Sequence, residues 1–534
     1  MRFNRTLDRK HRINSVLGLT YDVRKVSNDI YAVEDFVTTQ FMTENPAYGN
    51  VITRPLTYIK GDQQIFSFLG RINYTYDNTY IFTASVRKDG VSKFADGNKY
   101  GVFPSFAFAM NMHNEIDFKY LDELKLRFGW GQIGNHGIGS YGTLSNYAVS
   151  ENLYSNSDGG TNVPIILQNI ANPDLTWETT TQANLGLDFV TVNDRLSGTI
   201  DVYHKKTTDL LQRVNIPTSS GFSSILSNQG GILNEGLELS LDYNAISKEN
   251  FNFSVGGNIA FNKTKISNLQ AQPLEDFYVD GIAEQRRFYF GSNISRGAIF
   301  QYPANVFVEG EETSLFYGFE TDGIYQTGDV LLPTFGPDAA SPGDVRIIDQ
   351  NGDGQIDLND RTFIGNPNPD FIYGFNFNLN YKRLSANILF NGVYGNDIVN
   401  GNLLQLNNAE GLTYLNISRD AYYNAWRPDA QTNSFPRIGY TTNGMPAMTD
   451  RIIEDGSYLR LSNLTVSYDV DVNNIDSISN LKLFIAGQNL ITWTNYSGYD
   501  PEISSFLYTG LINGVDWNGR ANAKTFLFGV NVGF

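Results

Sequence analysis

Residues 371–381 read FIYGFNFNLNY, and this stretch decides the fold class. Every odd position carries an aromatic residue or leucine, whereas four of the five even positions carry glycine or asparagine. Successive side chains of a strand point to opposite faces, so this pattern predicts a strand with one apolar and one polar face.

The same alternation recurs along the whole chain and predicts about fifteen strands of about ten residues each. Residues 124–130 and 237–243 show it clearly, and the polar face of the first carries Lys125 and Arg127. Similar patterns recur near 12–21, 64–76, 78–88, 102–112, 183–190, 196–204, 251–261, 384–392, 457–468, 480–489 and 524–534.

Short and long connections alternate between these strands. Turns at 76–79, 192–195 and 381–383 are short, whereas four segments rich in Asn, Gly, Ser and Asp are long, at 132–181, 205–233, 262–369 and 393–455. This asymmetry is typical of outer-membrane barrels. The fold class is therefore predicted as all-β, a transmembrane antiparallel β-barrel with long extracellular loops. A soluble β-sandwich or propeller is the alternative, which the strand length and the lack of a blade-length repeat disfavour.

Composition excludes several classes of function. The 534 residues include 39 Lys and Arg against 56 Asp and Glu, a net charge of −17, which argues against a nucleic-acid partner. No cysteine is present, so disulfides, Cys-based metal sites and thiol catalysis are excluded. Four scattered histidines make a zinc hydrolase a poor fit. No run of 18 apolar residues offers a transmembrane helix.

The C-terminal residues 526–534, FLFGVNVGF, place apolar side chains at alternate positions and stop on Phe534. A terminal aromatic residue that closes an amphipathic strand resembles the signal by which bacterial outer-membrane barrels are recognised for assembly. The alternative is an ordinary edge strand. We expect the even-numbered side chains of this segment to face lipid, and the Lys125 and Arg127 side to face the lumen.

Residues 349–360, DQNGDGQIDLND, match the spacing of a calcium-binding loop. Oxygen side chains alternate along the loop, and Gly354 stands at the sixth position, where the chain turns sharply. The twelfth position is Asp rather than Glu, which resembles the dockerin-type loop. The alternative is a turn without an ion. The candidate ligands of a structural calcium ion are Asp349, Asn351, Asp353, Gln355, Asp357 and Asp360. No catalytic residues are predicted.

Several longer stretches resemble the SusC/RagA family of TonB-dependent outer-membrane transporters. The segment GDVRIIDQNGDGQIDLNDRTFIGNPNPDFIYGFNFNLNY at 343–381 carries this resemblance most clearly. Further similar segments follow in family order at 66–108, 172–211, 234–244, 425–429, 455–470 and 481–503.

The resemblance implies a 22-stranded barrel that imports oligosaccharides or peptides across the outer membrane of Bacteroidota. Its expected partners are a SusD-like surface lipoprotein, which acts as a lid, and a TonB complex, which supplies energy. We expect residues 1–534 to be the C-terminal barrel portion, about 15–16 strands. The signal peptide, the plug domain and the TonB-contacting N-terminal region are expected to be absent from this chain.

Two other interpretations remain open from the sequence. One is a calcium-binding extracellular structural or adhesion β-protein, and the other is a surface glycan hydrolase. Dependence on detergent would separate the transporter from both, and turnover of glycans would identify the hydrolase.

Overall fold

The computed structural model describes residues 1–36, 49–116, 121–149, 154–155, 161–162, 165–269, 272–294, 303–336, 339–407, 416–438, 448–473, 477–502, 504–505 and 510–534. Strands dominate these residues. The two α-helices found among them are Gly401–Asn407 (α1) and Arg419–Asn424 (α2). Neither these helices nor the 3₁₀ turns of the same residues are long and apolar enough to cross a membrane. The 3₁₀ turns are Met112–Asn114, Thr218–Ser220, Leu358–Asp360 and Asp450–Ile452.

One large sheet contains fifteen strands whose order in the sheet is their order in the chain. This number agrees with the alternation in the sequence. The strands are Arg2–Leu7 (β1), His11–Phe36 (β2), Gly49–Tyr76 (β3), Tyr80–Val91 (β4), Tyr100–Asn111 (β5), Leu121–Asn135 (β6), Glu178–Thr191 (β7), Leu196–Thr208 (β8), Gly231–Lys248 (β9), Phe251–Asn268 (β10), Phe371–Tyr381 (β11), Leu384–Tyr394 (β12), Tyr458–Asp469 (β13), Asn480–Thr494 (β14) and Thr525–Gly533 (β15).

The long connections are folded and contain small sheets of their own. The strands of these small sheets are too short to show an alternating pattern, so they cannot be recognised from the sequence. Two-stranded ribbons pair Tyr147–Val149 with Ile165–Leu167, Tyr154–Ser155 with Thr161–Asn162, Leu211–Asn215 with Ser224–Asn228, Glu275–Val279 with Ile282–Arg286, and Thr321–Ile324 with Val345–Ile347. A four-stranded sheet contains Phe288–Phe290, Asn305–Val308, Leu315–Gly318 and Thr362–Gly365. A three-stranded sheet contains Ile453–Asp455, Asp397–Asn400 and Val515–Asp516.

The three short turns fall where the sequence predicts them. Strand β3 ends at Tyr76 and β4 begins at Tyr80, with Asp77 and Asn78 at φ of 50° and 55°. Asparagine and aspartate tolerate this left-handed conformation, and the turn from Asp77 to Thr79 joins the paired residues Tyr76 and Tyr80. The turns after β7 and β11 also contain residues with positive φ.

The register of β10 to β15 aligns apolar side chains on one face. Directly paired residues form a single row across six strands, and its members Ile485 and Phe528 are 53% and 71% exposed. Apolar side chains this exposed, in a continuous row, are the arrangement of a lipid-facing surface. The row consists of Phe253, Leu379, Ala386, Val466, Ile485 and Phe528.

The neighbouring row lies on the opposite face and is polar over most of its length. It contains Asn378 and Asn387, whose side chains hydrogen-bond to each other at 2.5 Å. The row becomes apolar at Ala486 and Leu527, so the last strand is less amphipathic than the sequence pattern predicts. Its members are Ser254, Asn378, Asn387, Thr465, Ala486 and Leu527.

Strands β2 to β5 carry an apolar band with aromatic side chains at both ends. His11 packs on Tyr76, and Tyr76 packs on Tyr80, at the end with short turns. Tyr21, paired with Phe66, marks the other end, ten residues along β2. Ten residues at about 3.3 Å each, tilted by about 45°, span about 23 Å, close to the height of the apolar band of an outer-membrane barrel.

Two strands are much longer than the ten residues predicted. Strands β2 and β3 contain 26 and 28 residues, and their pairing continues from His11–Tyr76 to Phe36–Gly49. Residues 22–36 and 49–63 show no clean alternation, which is why the sequence pattern stops near residue 21. The prediction of strand length was therefore wrong for this hairpin.

The chain divides into two compact units. The first comprises Met1–Met110, Phe128–Ala183 and Thr207–Gln229, and its buried cluster includes Phe94, Phe103 and Trp177. The second comprises Asn111–Arg127, Asn184–Lys206 and Gly230–Phe534, and contains four buried clusters, whose residues lie mostly in its long connections.

Candidate functional site

A charged cluster on the polar face of β6 to β8 is held by Arg127. Its guanidinium donates to both carboxylate oxygens of Asp188 and of Asp201, over distances of 2.7–3.1 Å. Lys125 lies 4.0 Å from Asp188, so both predicted basic residues are on this charged face. Bidentate pairs of this kind fix geometry as well as charge.

Because Gly186 has no side chain, the cluster can occupy the space beside its backbone. A Cβ atom at residue 186 would lie 2.5 Å from Asp201 Oδ1 and 2.6 Å from the Arg127 guanidinium carbon. Gly186→Ala is therefore expected to displace the cluster and lower the free energy of unfolding by about 1–3 kcal/mol, the usual cost of overpacking.

Gly129→Ala is the matched control for this prediction, because no atom lies within 4 Å of a Cβ at that position of β6. Urea unfolding of both variants in lipid vesicles is the measurement. Equal stability of the two variants would contradict the steric explanation.

The loop 349–360 folds around its own side chains. Asp349 Oδ1 accepts the N–H of Gly352 at 2.8 Å, and Asp349 Oδ2 accepts the N–H of Gly354 at 2.9 Å. Gly352 and Gly354 have φ of 72° and 84°, in the left-handed region that glycine favours. The sharp turn predicted at Gly354 is therefore present.

The remaining candidate ligands also lie along this turn. Asn351 accepts the N–H of Asp353, Asp353 accepts the N–H of Gln355, and both distances are 2.9 Å. Asp357 accepts the N–H of Asn359, and Asp360 accepts the N–H of Asp357. All six predicted residues thus share one loop. Among the described residues, however, no three acidic or histidine side chains converge as metal ligands would.

Asp360 is the most deeply placed of these carboxylates, with no exposed surface. Burial raises its pKa above the usual value for a carboxyl, while N–H donors from the backbone of Asp357, Asn351 and Gln350 act in the opposite direction. The nearby charge of Asp349 raises the pKa further. Both carboxylate oxygens of Asp360 accept backbone N–H groups, Oδ1 from Gln350 and Oδ2 from Asp357.

Neighbouring segments hold the loop in place. Ile356 is buried against Phe319 and Ile347, and its N–H donates to the carbonyl of Pro333 at 2.8 Å. On another side, the turn at Gly281 approaches so closely that a Cβ there would lie 2.0 Å from the carbonyl oxygen of Gln350. The loop is therefore packed into the surrounding connection.

Arg361 follows the loop directly, and its Nε donates to the carbonyl of Leu358 at 3.0 Å while its guanidinium lies against an aromatic cluster. Its guanidinium lies 5.1 Å from the ring centres of both Phe290 and Tyr317. Burial lowers the pKa of Arg361, and the nearby Tyr317 and Asp357 oppose this change. Reasoning from sequence missed this residue, because no local pattern distinguishes it from an exposed arginine.

A second ion cluster, which is buried, joins strand β13 to the connection after β14. The Arg460 guanidinium donates to Asp500 and to Glu502, both at 2.5 Å, and to Thr492 at 3.0 Å. The side chains of Arg460 and Asp500 are only 3% and 7% exposed. Sequence reasoning missed this cluster, although Arg460 lies in the family-like segment 455–470 and its partners lie in 481–503.

Three further arginines, Arg2, Arg12 and Arg71, lie on the polar face of β1 to β3. Arg2 pairs across the strands with Val16, and Val16 with Arg71, so their side chains share one face. The same face carries Asn73, which accepts from Thr83 at 2.8 Å and from Arg71 at 3.3 Å.

Comparison with known proteins identifies the family. Residues 2–490 match the family model described as TonB dependent receptor-like, beta-barrel. The TonB-dependent receptor P3 of Formosa agariphila is 34% identical over 97% of this chain and 50% of the relative. The TonB-dependent receptor SusC of Bacteroides thetaiotaomicron is 30% identical over 88% of this chain and 44% of the relative. The chain therefore spans about half the length of the curated relatives it matches.

Solved structures agree with this fold. The structure of the RagAB peptide transporter superposes with a TM-score of 0.79 and 24% identity, over 99% of this chain and 54% of that one. The open-open state of the RagAB peptide importer gives a TM-score of 0.80 over 100% of this chain and 54% of that one, also at 24% identity.

The comparisons confirm the interpretation of a receptor barrel rather than an adhesion protein or a glycan hydrolase. They also confirm the resemblance stated from the sequence and the predicted all-β transmembrane barrel. Apolar rows on one face and polar rows on the other are the surfaces that such a wall presents to lipid and to its lumen. The chain belongs to the TonB-dependent receptor β-barrel family of the bacterial outer membrane and is SusC/RagA-like.

Proposed function

We propose that the chain forms barrel wall and extracellular connections of a SusC-like TonB-dependent importer of oligosaccharides or peptides. A SusD-like lipoprotein would cover its extracellular mouth, and a TonB complex would supply energy through a region outside this chain. The proposal is supported by the similarity to SusC and by the fold that the chain shares with the RagAB peptide transporter. The observation that carries the proposal is that β10 to β15 have a row of apolar side chains on one face and a mainly polar row on the opposite face.

Exposed aromatic side chains on the long connections support a role in binding cargo or the lid. Tyr422 and Tyr423 of α2 pack edge to face at 5.3 Å and are 52% and 72% exposed. Tyr499 is 83% exposed and precedes the buried Asp500. Flat aromatic faces with a polar hydroxyl can stack on sugar rings or on peptide side chains.

Uptake in whole cells tests this function. Cells of the source organism that lack the gene would be offered fluorescent oligosaccharides and peptides, with a complemented strain as the control. We expect the deletion to abolish uptake of one class of cargo, and a protonophore to abolish the same uptake in the complemented strain. Unchanged uptake of every cargo after deletion would contradict the proposal.

We further propose that loop 349–360 binds a structural calcium ion. The ligands would be the side chains of Asp349, Asn351, Asp353 and Asp360, the carbonyl of Gln355, and Asp357 directly or through water. The spacing, the left-handed glycines and the buried Asp360 support this assignment. The ion would neutralise clustered carboxylates and order the loop beside the barrel mouth.

Calorimetric titration with calcium is expected to give a dissociation constant of about 10⁻⁴–10⁻³ M, because Asp at position twelve reaches the ion less readily than Glu. The double variant Asp349→Asn, Asp353→Asn should lose the heat of binding, whereas Glu275→Gln, an exposed residue outside the loop, should keep it. Absence of heat in the wild-type protein, together with unchanged proteolysis of residues 343–369, would show that the motif is only a turn.

A further inference from the structure

A lysine interrupts the apolar face of β2 to β5. The strand register arranges this face in rows, from His11, Tyr76, Tyr80 and Met110 at the end with short turns to Tyr21, Phe66, Gly90 and Tyr100 at the other end. The row next to this last one contains Leu19, Phe68, Lys88 and Val102. Lys88 is the one Asp, Glu, Lys or Arg residue within these rows. Its charge therefore lies on a lipid-facing surface, where charges are costly and rare.

The position of Lys88 along β4 assigns it to the outer leaflet. It lies two residues from Gly90, so with strands tilted by about 45° its backbone is about 5 Å inside the edge of the apolar band. Short turns are periplasmic in barrels of this kind, so this edge is the extracellular one. Arg5 of β1 shares the face, but it pairs with Ile13 near the short turns and belongs to the opposite leaflet. The flexible stem of a lysine can bring its ammonium group to the level of the lipid headgroups.

Tyr100 shows the direction in which Lys88 extends. The Lys88 ammonium nitrogen lies 5.0 Å from the centre of the Tyr100 ring, and Tyr100 stands in the outermost row, paired with Gly90. The ring lies against the wall, because a Cβ atom at residue 90 would be 2.4 Å from Tyr100 Cε1. Tyr100 is nevertheless 59% exposed. The ammonium group is thus held at the edge of the apolar band, beside a phenol hydroxyl.

The ammonium group of Lys88 has no carboxylate partner among the residues that the structure describes. The adjacent Asp89 lies on the opposite face and pairs with Arg87 at 2.7 Å. An aromatic ring attracts a cation, but it leaves the three N–H donors of the ammonium group without a strong acceptor. Two donors, the ammonium group of Lys88 and the hydroxyl of Tyr100, are therefore available to an anion at the headgroup level.

The surface below Lys88 suits an acyl chain. Strand β4 continues from Lys88 to Val86 and Ala84 toward the middle of the apolar band, and Gly70 and Pro104 lie on either side of Val86. These residues are smaller than the aromatic residues of the neighbouring rows, so they form a shallow trough along β4. A site for phosphate above an apolar trough has the polarity of a single membrane lipid.

We infer that Lys88 and Tyr100 bind the phosphate of an outer-leaflet lipid, whose acyl chain lies over Val86 and Ala84. The ammonium group would pair with the phosphate, and the Tyr100 hydroxyl would donate to a phosphate oxygen. The ligand is a lipid rather than free phosphate, because Lys88 opens onto hydrocarbon. The bound lipid would neutralise the charge that this face exposes and fix β4 and β5 at the membrane surface. This site lies on the outside of the wall and takes no part in the proposed import of cargo.

Native mass spectrometry of the protein, purified from outer membranes in detergent, tests this inference. The probes are monophosphoryl lipid A and the same lipid after removal of its phosphate. We expect the wild-type protein to retain the phosphorylated lipid about fivefold more than the other, the effect of one lysine at a membrane surface. Lys88→Gln should remove most of this preference. Tyr100→Phe, which keeps the ring and removes the hydroxyl, should lower it to a smaller extent.

Lys263→Gln is the matched control. Lys263 of β10 lies two residues beyond Phe261 on the same face of the strand, but Glu312 lies 3.6 Å from its ammonium nitrogen and neutralises it. The substitution removes the same charge from the outer surface and should leave the preference unchanged. Heat-modifiable migration on gels would show that each variant is folded.

Three results would overturn the inference. The first is equal retention of the two lipids by the wild-type protein, and the second is a preference that survives Lys88→Gln. The third is an equal loss in Lys88→Gln and Lys263→Gln, which would show that any surface lysine attracts the anionic lipid. An unchanged preference in Tyr100→Phe would contradict the role of the hydroxyl. Whole-cell uptake tests import separately, so failure of the lipid site and failure of import can be distinguished.

Discussion

Replacing Arg460 by leucine is expected to lower the free energy of unfolding by about 3–5 kcal/mol, the usual result of removing one partner from a buried ion pair. The substitution leaves Asp500, which is 7% exposed, without its cation. Asp500 also accepts the N–H groups of Glu502 and Asn522, so the disturbance reaches along the connection after β14. Urea unfolding in lipid vesicles measures the change.

Hydrogen exchange gives a local measurement for the same variant. We expect faster exchange in residues 496–505 and 510–522, because Arg460 fastens this connection to β13. Arg383→Leu is the control, since Arg383 pairs with Asp471 at an exposed site, and exposed pairs contribute little. Equal stability of the two variants would show that the Arg460 ion pairs do not stabilise the connection after β14.

Val466→Arg is expected to lower the free energy of unfolding by about 1–2 kcal/mol, because a lipid-facing charge is costly and Val466 lies three residues from the end of β13, nearer the interface than the middle of the membrane. Val466 lies in the centre of the apolar row, between Ala386 and Ile485. The adjacent Thr465 points to the opposite face, where Asn387 is its partner. Thr465→Arg should therefore be tolerated.

This pair of variants shows the effect of the face on which the arginine lies, because the two adjacent residues lie at nearly the same depth in the membrane. The measurement is the free energy of unfolding in vesicles, supplemented by the fraction that inserts. A larger loss for Thr465→Arg than for Val466→Arg would invert the assignment of faces. Phe528→Arg, in the same row at the last strand, should behave like Val466→Arg.

Alternation made the wall of this protein predictable from sequence. Alternate side chains of a strand face the same side of the sheet, so whether a side chain faces outward can be read from its odd or even position. Residues 237–243 and 371–381 show this alternation without any information from the rest of the chain. The short turns were predictable for the same reason, since Asp77 and Asn78 favour the backbone conformation that a hairpin turn needs.

The connections were not predictable to the same degree. Their strands contain two to five residues, which is too few to show a period. Some of them also pair with partners far along the chain, as Asp397–Asn400 does with Val515–Asp516. Arg460 and Asp500 are separated by 40 residues, and only the fold brings them together. The long hairpin of β2 and β3 escaped prediction because its outer part does not alternate.

For the candidate calcium loop, the sequence specified the residues and the structure supplied their surroundings. The sharp turn at Gly354 was visible as a motif. The burial of Asp360 and the close approach of Gly281 depend on distant segments. Occupation by calcium stays a prediction.

Nitroxide scanning of residues 371–381 in lipid vesicles tests the central claim most directly. A spin label at each position reports its accessibility to oxygen, which partitions into lipid, and to a water-soluble nickel chelate. We predict oxygen maxima at the odd positions Tyr373, Phe375, Phe377 and Leu379, and nickel maxima at the even positions between them. Accessibilities that rise and fall together, without a period of two, would contradict a membrane wall with a lipid face and a lumen face.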